Sequence, residues 1–512
     1  TNKKKRKHKM TTFNNDQYLK YIQPQNELCH FINNEFTYNI DDPSATFDVI
    51  QPNNGTILCK VASGTSKEVD LAVEAAVNAA KPNSEWRRMS IHKRRALLLK
   101  LVTKWQEEAE DLAVLESLNN GSPVTLQKII VEDLVNDWLY HIGWMDKIAG
   151  RVCSDPNSND DRHVYVRREP IGACGLVLPW NVPLWCLIVK LAPALSCGNT
   201  IVVKPSEFTP LTCLKVAKMI KECGFPPGVF NVVNGFGLEV GEPLARHPKL
   251  RKIAFTGSTR TGRAIAKCAA ESNLKQVQLE LGGKSPVIVM PDVNIPEAVR
   301  ICNHAVFNNN GQLCTAGSRT YVHEQIYDEF VKEAVKQAQQ IKVGNQMDAE
   351  TRCGPLVNKL QFEKVLDFIK HGMKDGTLQC GGPEPAFPEG YFVRPTIFTD
   401  LAHDSKLACE EIFGPVMSIF KFKDVEEVIE FANSSEYGLA SGIITKDSRV
   451  AMDIGHRLET NTVWINHYHG AMVTAEFGGY KSSGFGREGG EEGVLAWTQS
   501  KSIFIHKGNR DI

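Results

Sequence analysis

The chain has 512 residues, 42% hydrophobic and 23% charged, with 59 basic residues balanced by 59 acidic ones. That is the composition of a folded protein too long for a single core, and its zero net charge excludes nucleic acid or an anionic membrane surface as the main partner. No apolar run reaches the roughly 20 residues that cross a bilayer, the N-terminus lacks the apolar core of a secretory signal, and the 14 cysteines stand singly with no Cys-x-x-Cys pair. Free thiols in a reducing, cytoplasmic setting and no metal site are therefore expected.

The basic run from Lys3 to Lys9 reads as a disordered leader or an artificial extension ahead of Met10, rather than an import or polyanion-binding tail. Residues 65–120 then read as helical. Thr65 and Glu68 have capping-box spacing, Val69, Val73 and Val77 share one face, and Pro82 stops the pattern. A second helical stretch runs from Ile91 to about Leu118 and ends at the Asn120-Gly121 turn signal.

From Ala173 short apolar runs alternate with helical segments. Strands are predicted at 175–178, 201–203, 230–233 and 252–255, with helices at about 211–223, near 239–246 and from Arg260. Further strands follow at 287–289, 320–322, 418–420, 442–444 and 463–465. This alternation predicts an α/β fold with parallel sheets, whose ligands bind at the carboxyl ends of the strands. Residues 502–505 would form an exposed edge strand, a candidate contact between copies of the chain. Residues 157–161 read as a polar loop.

Several motifs sit at the strand ends. Cys314 lies in a Gly- and Asn-rich turn that leads into an apparent helix, whose N-terminus would stabilise a thiolate; the residues alone fit an inert buried cysteine better. Glu280 ends a strand before Gly282-Gly283 and suits a general base, or a surface glutamate before a turn. Asn181, in Pro179-Trp180-Asn181-Val182-Pro183, can offer an amide N–H to an oxyanion or simply organise the turn. Lys204 and Glu207, around Ser206, suit a ribose diol, and the acid would repel a 2′-phosphate, favouring NAD over NADP. Phe255-Thr-Gly257-Ser258 through Gly262 is a strand–turn–helix start able to receive a pyrophosphate. Gly235-Phe-Gly237 is a similar, weaker signal.

Taken together, Pro-Trp-Asn, Lys-Pro-Ser-Glu, Phe-Thr-Gly-Ser, Glu-Leu-Gly-Gly-Lys, Gly-Gln-Leu-Cys and Glu-Glu-Ile-Phe-Gly-Pro, in this order and spacing, closely resemble the aldehyde dehydrogenase superfamily from about residue 35 to 506. The resemblance implies a Rossmann-like cofactor domain (20–150 and 170–280), an α/β catalytic domain (281–482), and a small β oligomerisation arm with a C-terminal tail (151–169 and 483–512). It implies NAD-dependent oxidation of an aldehyde, with Cys314 forming a thiohemiacetal and then a thioester, Asn181 holding the oxyanion, and Glu280 activating the hydrolytic water. Lys190 and Glu488 match proton-relay positions. Trp180, Lys204, Ser206, Glu207, Gly237, Phe255, Gly257, Ser258, Gly262, Leu281, Glu411 and Phe413 fall at cofactor positions.

Val182, Trp185, Val189, Leu313, Thr315, Tyr468 and His469 fall at substrate positions. The two valines stand where aminoaldehyde-oxidising relatives carry aromatics, so a neutral or aromatic aldehyde is expected. Glu476 departs from a common proline, and the histidines at 467 and 469 read as loop residues or as contacts to a polar aldehyde. The alternatives are a CoA-acylating relative or a silent binding protein. A homo-oligomer, dimer or tetramer, is implied.

Overall fold

The computed structural model describes residues 16–154, 156, 162–470 and 472–506; the basic run, the polar loop at 157–161 and the last six residues lie outside them. Local chemistry sets the helix ends as expected. Thr65 and Glu68 form a complete capping box at the start of Ser66–Ala80, and Gly121 closes Ala109–Asn120 in the left-handed region. The stretch beginning at Ile91 is two helices, because Glu108 leaves helical geometry (φ −105°, ψ 12°) and joins Ile91–Glu107 to Ala109–Asn120.

Two parallel sheets dominate. The first runs Glu35–Thr37, His30–Ile32, Phe230–Val232, Thr200–Lys204, Ala173–Val177, Lys252–Thr256, Gln276–Glu280 and Gly484–Phe485. Its five middle strands are parallel. Chain order reverses between Ala173–Val177 and Lys252–Thr256, which opens a crevice at their carboxyl ends. The second runs Thr377–Cys380, Thr396–Thr399, Val416–Phe422, Arg319–His323, Pro286–Val289, Ala440–Ile444 and Thr462–Ile465, parallel except for its first strand. The motifs ending in Asn181, Glu207, Ser258 and Glu280 leave carboxyl ends of the first sheet. Those carrying Gly283, Cys314 and Glu411 enter amino ends of the second. The two sheets thus present their functional loops to each other.

The predicted edge strand is longer than expected. Thr498–His506 pairs antiparallel with Arg162–Pro170 along its whole length, and Arg151–Cys153 completes a three-stranded sheet. Among the helices that the sequence reading did not name are Val124–Trp144 and Pro183–Ser196. The second is buried on nearly every face and contains Pro193, so no amphipathic period marks it.

The first core gathers Trp86, Trp105, Trp138 and Trp497 around the helices that flank the first sheet. Trp86 is fully buried, donates Nε1–H to the Asn199 carbonyl at 3.1 Å and packs on Phe225 with ring centroids 5.9 Å apart. Trp86→Ala should cost about 3–5 kcal/mol through the cavity it leaves. Scanning calorimetry should then show the main transition several degrees lower.

Candidate active site

The nucleophile loop is held open by asparagines. After Ile295–Phe307 the chain makes a short turn, Asn308–Gly311, with Asn309 and Asn310 at φ 48° and 60°. No helix follows Cys314, correcting the expectation drawn from its sequence. Ala316 and Ser318 donate backbone bonds within tight turns, Gly317 donates to Ala305, and the chain passes directly into Arg319–His323. The thiol therefore lacks a helix N-terminus. Burial pushes it up to about 12, with the Glu411 and Glu280 carboxylates adding to the rise and its own backbone N–H opposing it.

Gly282 and Gly283 make the meeting possible. A Cβ on Gly283 would lie 2.3 Å from the Cys314 carbonyl oxygen, and one on Gly282 would lie 2.7 Å from Glu411 Oε2. Glu411 Oε1 accepts the Gly283 N–H at 2.9 Å. Ser483 seals the far side, its hydroxyl donating to the Gly282 carbonyl at 2.7 Å.

Asn181, 6% exposed, donates Nδ2–H to the Gln312 carbonyl at 2.9 Å, two residues before the nucleophile. An amide carries two N–H hydrogens, so one is left over from that bond. Glu280 is 3% exposed and neither carboxylate oxygen has a hydrogen-bond partner. Burial holds its carboxyl well above the usual range, the Glu488 charge raises it further, and Lys190 and Arg487 oppose the rise. Lys190 donates to Glu488 and to Thr256 Oγ1, the latter at 2.6 Å, deep under the first sheet.

The crevice at the switch point fits a dinucleotide. Lys204 Nζ lies 3.4 Å from Glu207 Oε2, both at the end of Thr200–Lys204. Ser206 Oγ accepts the Phe208 N–H at 3.3 Å and shapes that turn. Ser258 caps Thr259–Ser272, leaving further N–H groups of the first turn to face the crevice. Side chains at 257 and 262 are excluded, since a Cβ there would meet the Phe255 ring at 2.4 Å and Leu281 at 2.5 Å. Phe255 and Leu281 are themselves buried beneath these loops. Gly237 opens a π-helical turn, Gly237–Gly241, with nothing near its missing side chain. Trp180 and Phe413 meet edge to face at 5.2 Å on the catalytic side.

Residues 40–503 match the aldehyde dehydrogenase family. The chain belongs to that family. It is 46% identical to the mitochondrial aldehyde dehydrogenase of Homo sapiens over 477 residues, covering 93% of this chain and 91% of that one. It is 44% identical to retinaldehyde dehydrogenase 3 of Homo sapiens over 483 residues, covering 94% and 93%. An aldehyde dehydrogenase from Bacillus cereus, solved as its NAD+ complex, superposes with a TM-score of 0.90 at 42% identity, covering 93% of this chain and 96% of that one.

In this aldehyde dehydrogenase the substrate-side residues fall into two groups. Val182 and Trp185 are half-buried and Val189 is buried on Pro183–Ser196, and Trp185 meets Phe477 edge to face at 5.8 Å. Leu313 is half-buried beside the nucleophile. Thr315, Tyr468 and His469 instead brace its loop. Tyr468 donates its hydroxyl to the Thr315 carbonyl at 2.9 Å. His469 Nδ1 lies 3.3 Å from Thr315 Oγ1 and Nε2 lies 3.1 Å from the Ala305 carbonyl. Burial and His304 lower His469 to about 3, so it is neutral. His467 is exposed. Glu476 is exposed too, its carboxylate covering Gly490.

Sequence reading missed Phe477, Thr256, Gln278 and Lys284. Gln278 links Lys252 to Glu488, accepting from Lys252 Nζ at 2.9 Å and reaching Glu488 Oε1 at 3.5 Å. Lys284 is 2% exposed with no partner for Nζ, and burial with Arg319 nearby lowers it to about 7. The one available signal for it was a lysine set directly after the double glycine.

Alkylation of Cys314 by iodoacetamide, followed by mass spectrometry in a Cys409→Ser background, should be slow at pH 7. The rate should rise about tenfold per pH unit, as the thiolate fraction does below the thiol's pKa. A rate flat between pH 7 and 9 would show a thiolate already formed.

Proposed function

We propose that this enzyme oxidises an aldehyde to its carboxylic acid with NAD, in two steps around Cys314. The observation that carries the reading is Glu280, a buried carboxylate with both oxygens unpartnered, close enough for its charge to raise the Cys314 thiol. Cys314 Sγ adds to the aldehyde carbonyl, its proton passing to the Glu280 carboxylate and on through Lys190 and Glu488. The oxyanion is held by the free Asn181 amide hydrogen and the Cys314 backbone N–H. NAD, when bound in the crevice, would supply the hydride acceptor, and loss of hydride from the former aldehyde carbon leaves the acyl group on Cys314 as a thioester. Lys204 and Glu207 would hold the adenosine ribose, Ser258 the pyrophosphate, and Glu411 the nicotinamide ribose. Glu280 then draws a proton from water, whose oxygen adds to the thioester carbonyl; the C–S bond breaks, the acid is released, and the Cys314 thiolate takes back a proton through Glu280, Lys190 and Glu488.

A base aimed at water disfavours a CoA-acylating reaction, which needs only a thiol acceptor. The half-buried Trp185 and Phe477, with Val182 and Val189 behind them, suit a neutral or aromatic aldehyde. We assign residues 20–150 and 170–280 to the cofactor domain and 281–482 to the catalytic one. The outer edge of Thr498–His506 suits pairing between copies, as in a homo-oligomer.

An NADH-formation screen over aliphatic, aromatic, acidic and quaternary-ammonium aldehydes tests this, with Cys314→Ala as control. Aromatic or aliphatic aldehydes should give the highest kcat/KM without added CoA, and the control should be inactive. Activity that needs CoA, or survives in the control, sinks the mechanism, and a preference for the quaternary ammonium sinks the neutral substrate.

The raised Glu280 gives a second test. Its carboxyl must lose a proton to act, so a deacylation-limited kcat should climb with pH through a titration above the ordinary carboxylate range. Glu488→Gln removes the like charge that raises Glu280, so the climb should move to lower pH. A pH profile of kcat that stays in place, or moves upward, contradicts this electrostatic assignment.

A further inference from the structure

The asparagine run 308–310 was read only as a turn, yet two of its side chains bind loops from other parts of the fold. Asn309, 1% exposed, donates Nδ2–H to the Asn181 carbonyl at 3.2 Å and lies 3.3 Å from the Gln312 carbonyl. Asn120, also 1% exposed, donates to the same Asn181 carbonyl at 3.1 Å from the last turn of Ala109–Asn120. Asn181 itself donates to Gln312. Its peptide carbonyl is thus gripped by two buried amides, and its side chain is tied to the loop that carries Cys314.

Asn310 does a different task with the same chemistry. It donates to the Gly121 and Pro355 carbonyls at 3.3 and 2.9 Å and accepts the Gly354 N–H at 2.6 Å. It joins the loops without touching Asn181.

We propose that Asn309 and Asn120 are positioning residues that fix the Asn181 amide over the thiohemiacetal oxygen. Buried carbonyls leave a hydrogen bond unmade only at a cost, so the clasp holds a single loop geometry. Asn309 makes both contacts from a left-handed backbone, at φ 48°. An asparagine tolerates that left-handed backbone better than other residues with side chains. An oxyanion donor displaced by about 1 Å loses much of its effect on the rate. This inference rests on the reading of Asn181 as the oxyanion donor.

The test uses Asn309→Gly and Asn310→Gly, which delete each amide without straining the left-handed backbone, together with Asn120→Ala and Asn181→Gly. The readouts are the pre-steady-state rate of NADH formation, the isotope effect with aldehyde deuterated at C1, and thermal midpoints. In Asn309→Gly the pre-steady-state rate should fall about tenfold to a hundredfold, KM for NAD should stay within about twofold, and an isotope effect should emerge. Asn120→Ala should do the same more weakly. Asn310→Gly should lower the thermal midpoint yet keep its pre-steady-state rate. If Asn309→Gly and Asn310→Gly lose stability alike, with rates and isotope effects unchanged, the clasp is merely structural and the proposal falls. Should Asn309→Gly not fold, an unchanged rate in Asn120→Ala overturns it. An unchanged rate in Asn181→Gly would instead remove the oxyanion reading beneath it.

Discussion

The site depends on two glycines. Gly282 and Gly283 are the place where the carboxyl edge of one sheet turns into the amino edge of the other. Any side chain there would drive into Glu411 or the Cys314 carbonyl. A β-carbon at that crossing would separate the nucleophile, the base and the ribose-side carboxylate, which arrive from three distant stretches of chain. Glycine's lack of a side chain matters more here than its conformational freedom, because neither residue needs a positive φ.

Bringing those groups together in a largely buried crevice has an electrostatic result opposite to the simplest expectation. Glu280 and Glu411 are pushed up chiefly by burial, and Cys314 by burial and then by both of them. The resting thiol is protonated, so the site is poised for a proton transfer coupled to attack rather than for holding a preformed anion. Lys190 compensates one charge only, binding Glu488 in the interior. A buried pair like this contributes little net stability, which is consistent with the proton relay proposed above.

Much of the fold was legible. The helix Leu211–Cys223 falls where its period and the closing Gly224 put it, and buried parallel strands announced themselves as short apolar runs between turn residues. What failed to show was order without a pattern. Pro183–Ser196 is buried on nearly every face, its one charged residue Lys190 included, and is interrupted by proline, so its sequence did not mark a buried face. The Cys314 segment looked like a helix start because glycine and asparagine precede small residues. In the fold Gly317 is pinned to Ala305, and the chain extends into a strand. The ordered motifs identified the site's members, but their spacing holds no trace of the amides of Asn120 and Asn309 converging on one carbonyl, which only long-range packing creates.

Phe477 and Glu488 exchange backbone hydrogen bonds, N–H to O at 2.7 Å in one direction and 2.8 Å in the other. The aromatic ring that meets Trp185 and the acid that binds Lys190 are therefore rungs of one small ladder. On the mechanism proposed above, an aldehyde bulky enough to move the Phe477 backbone would move that acid as well. Substrate shape would then act on how fast the thioester is hydrolysed, as well as on how well the aldehyde enters.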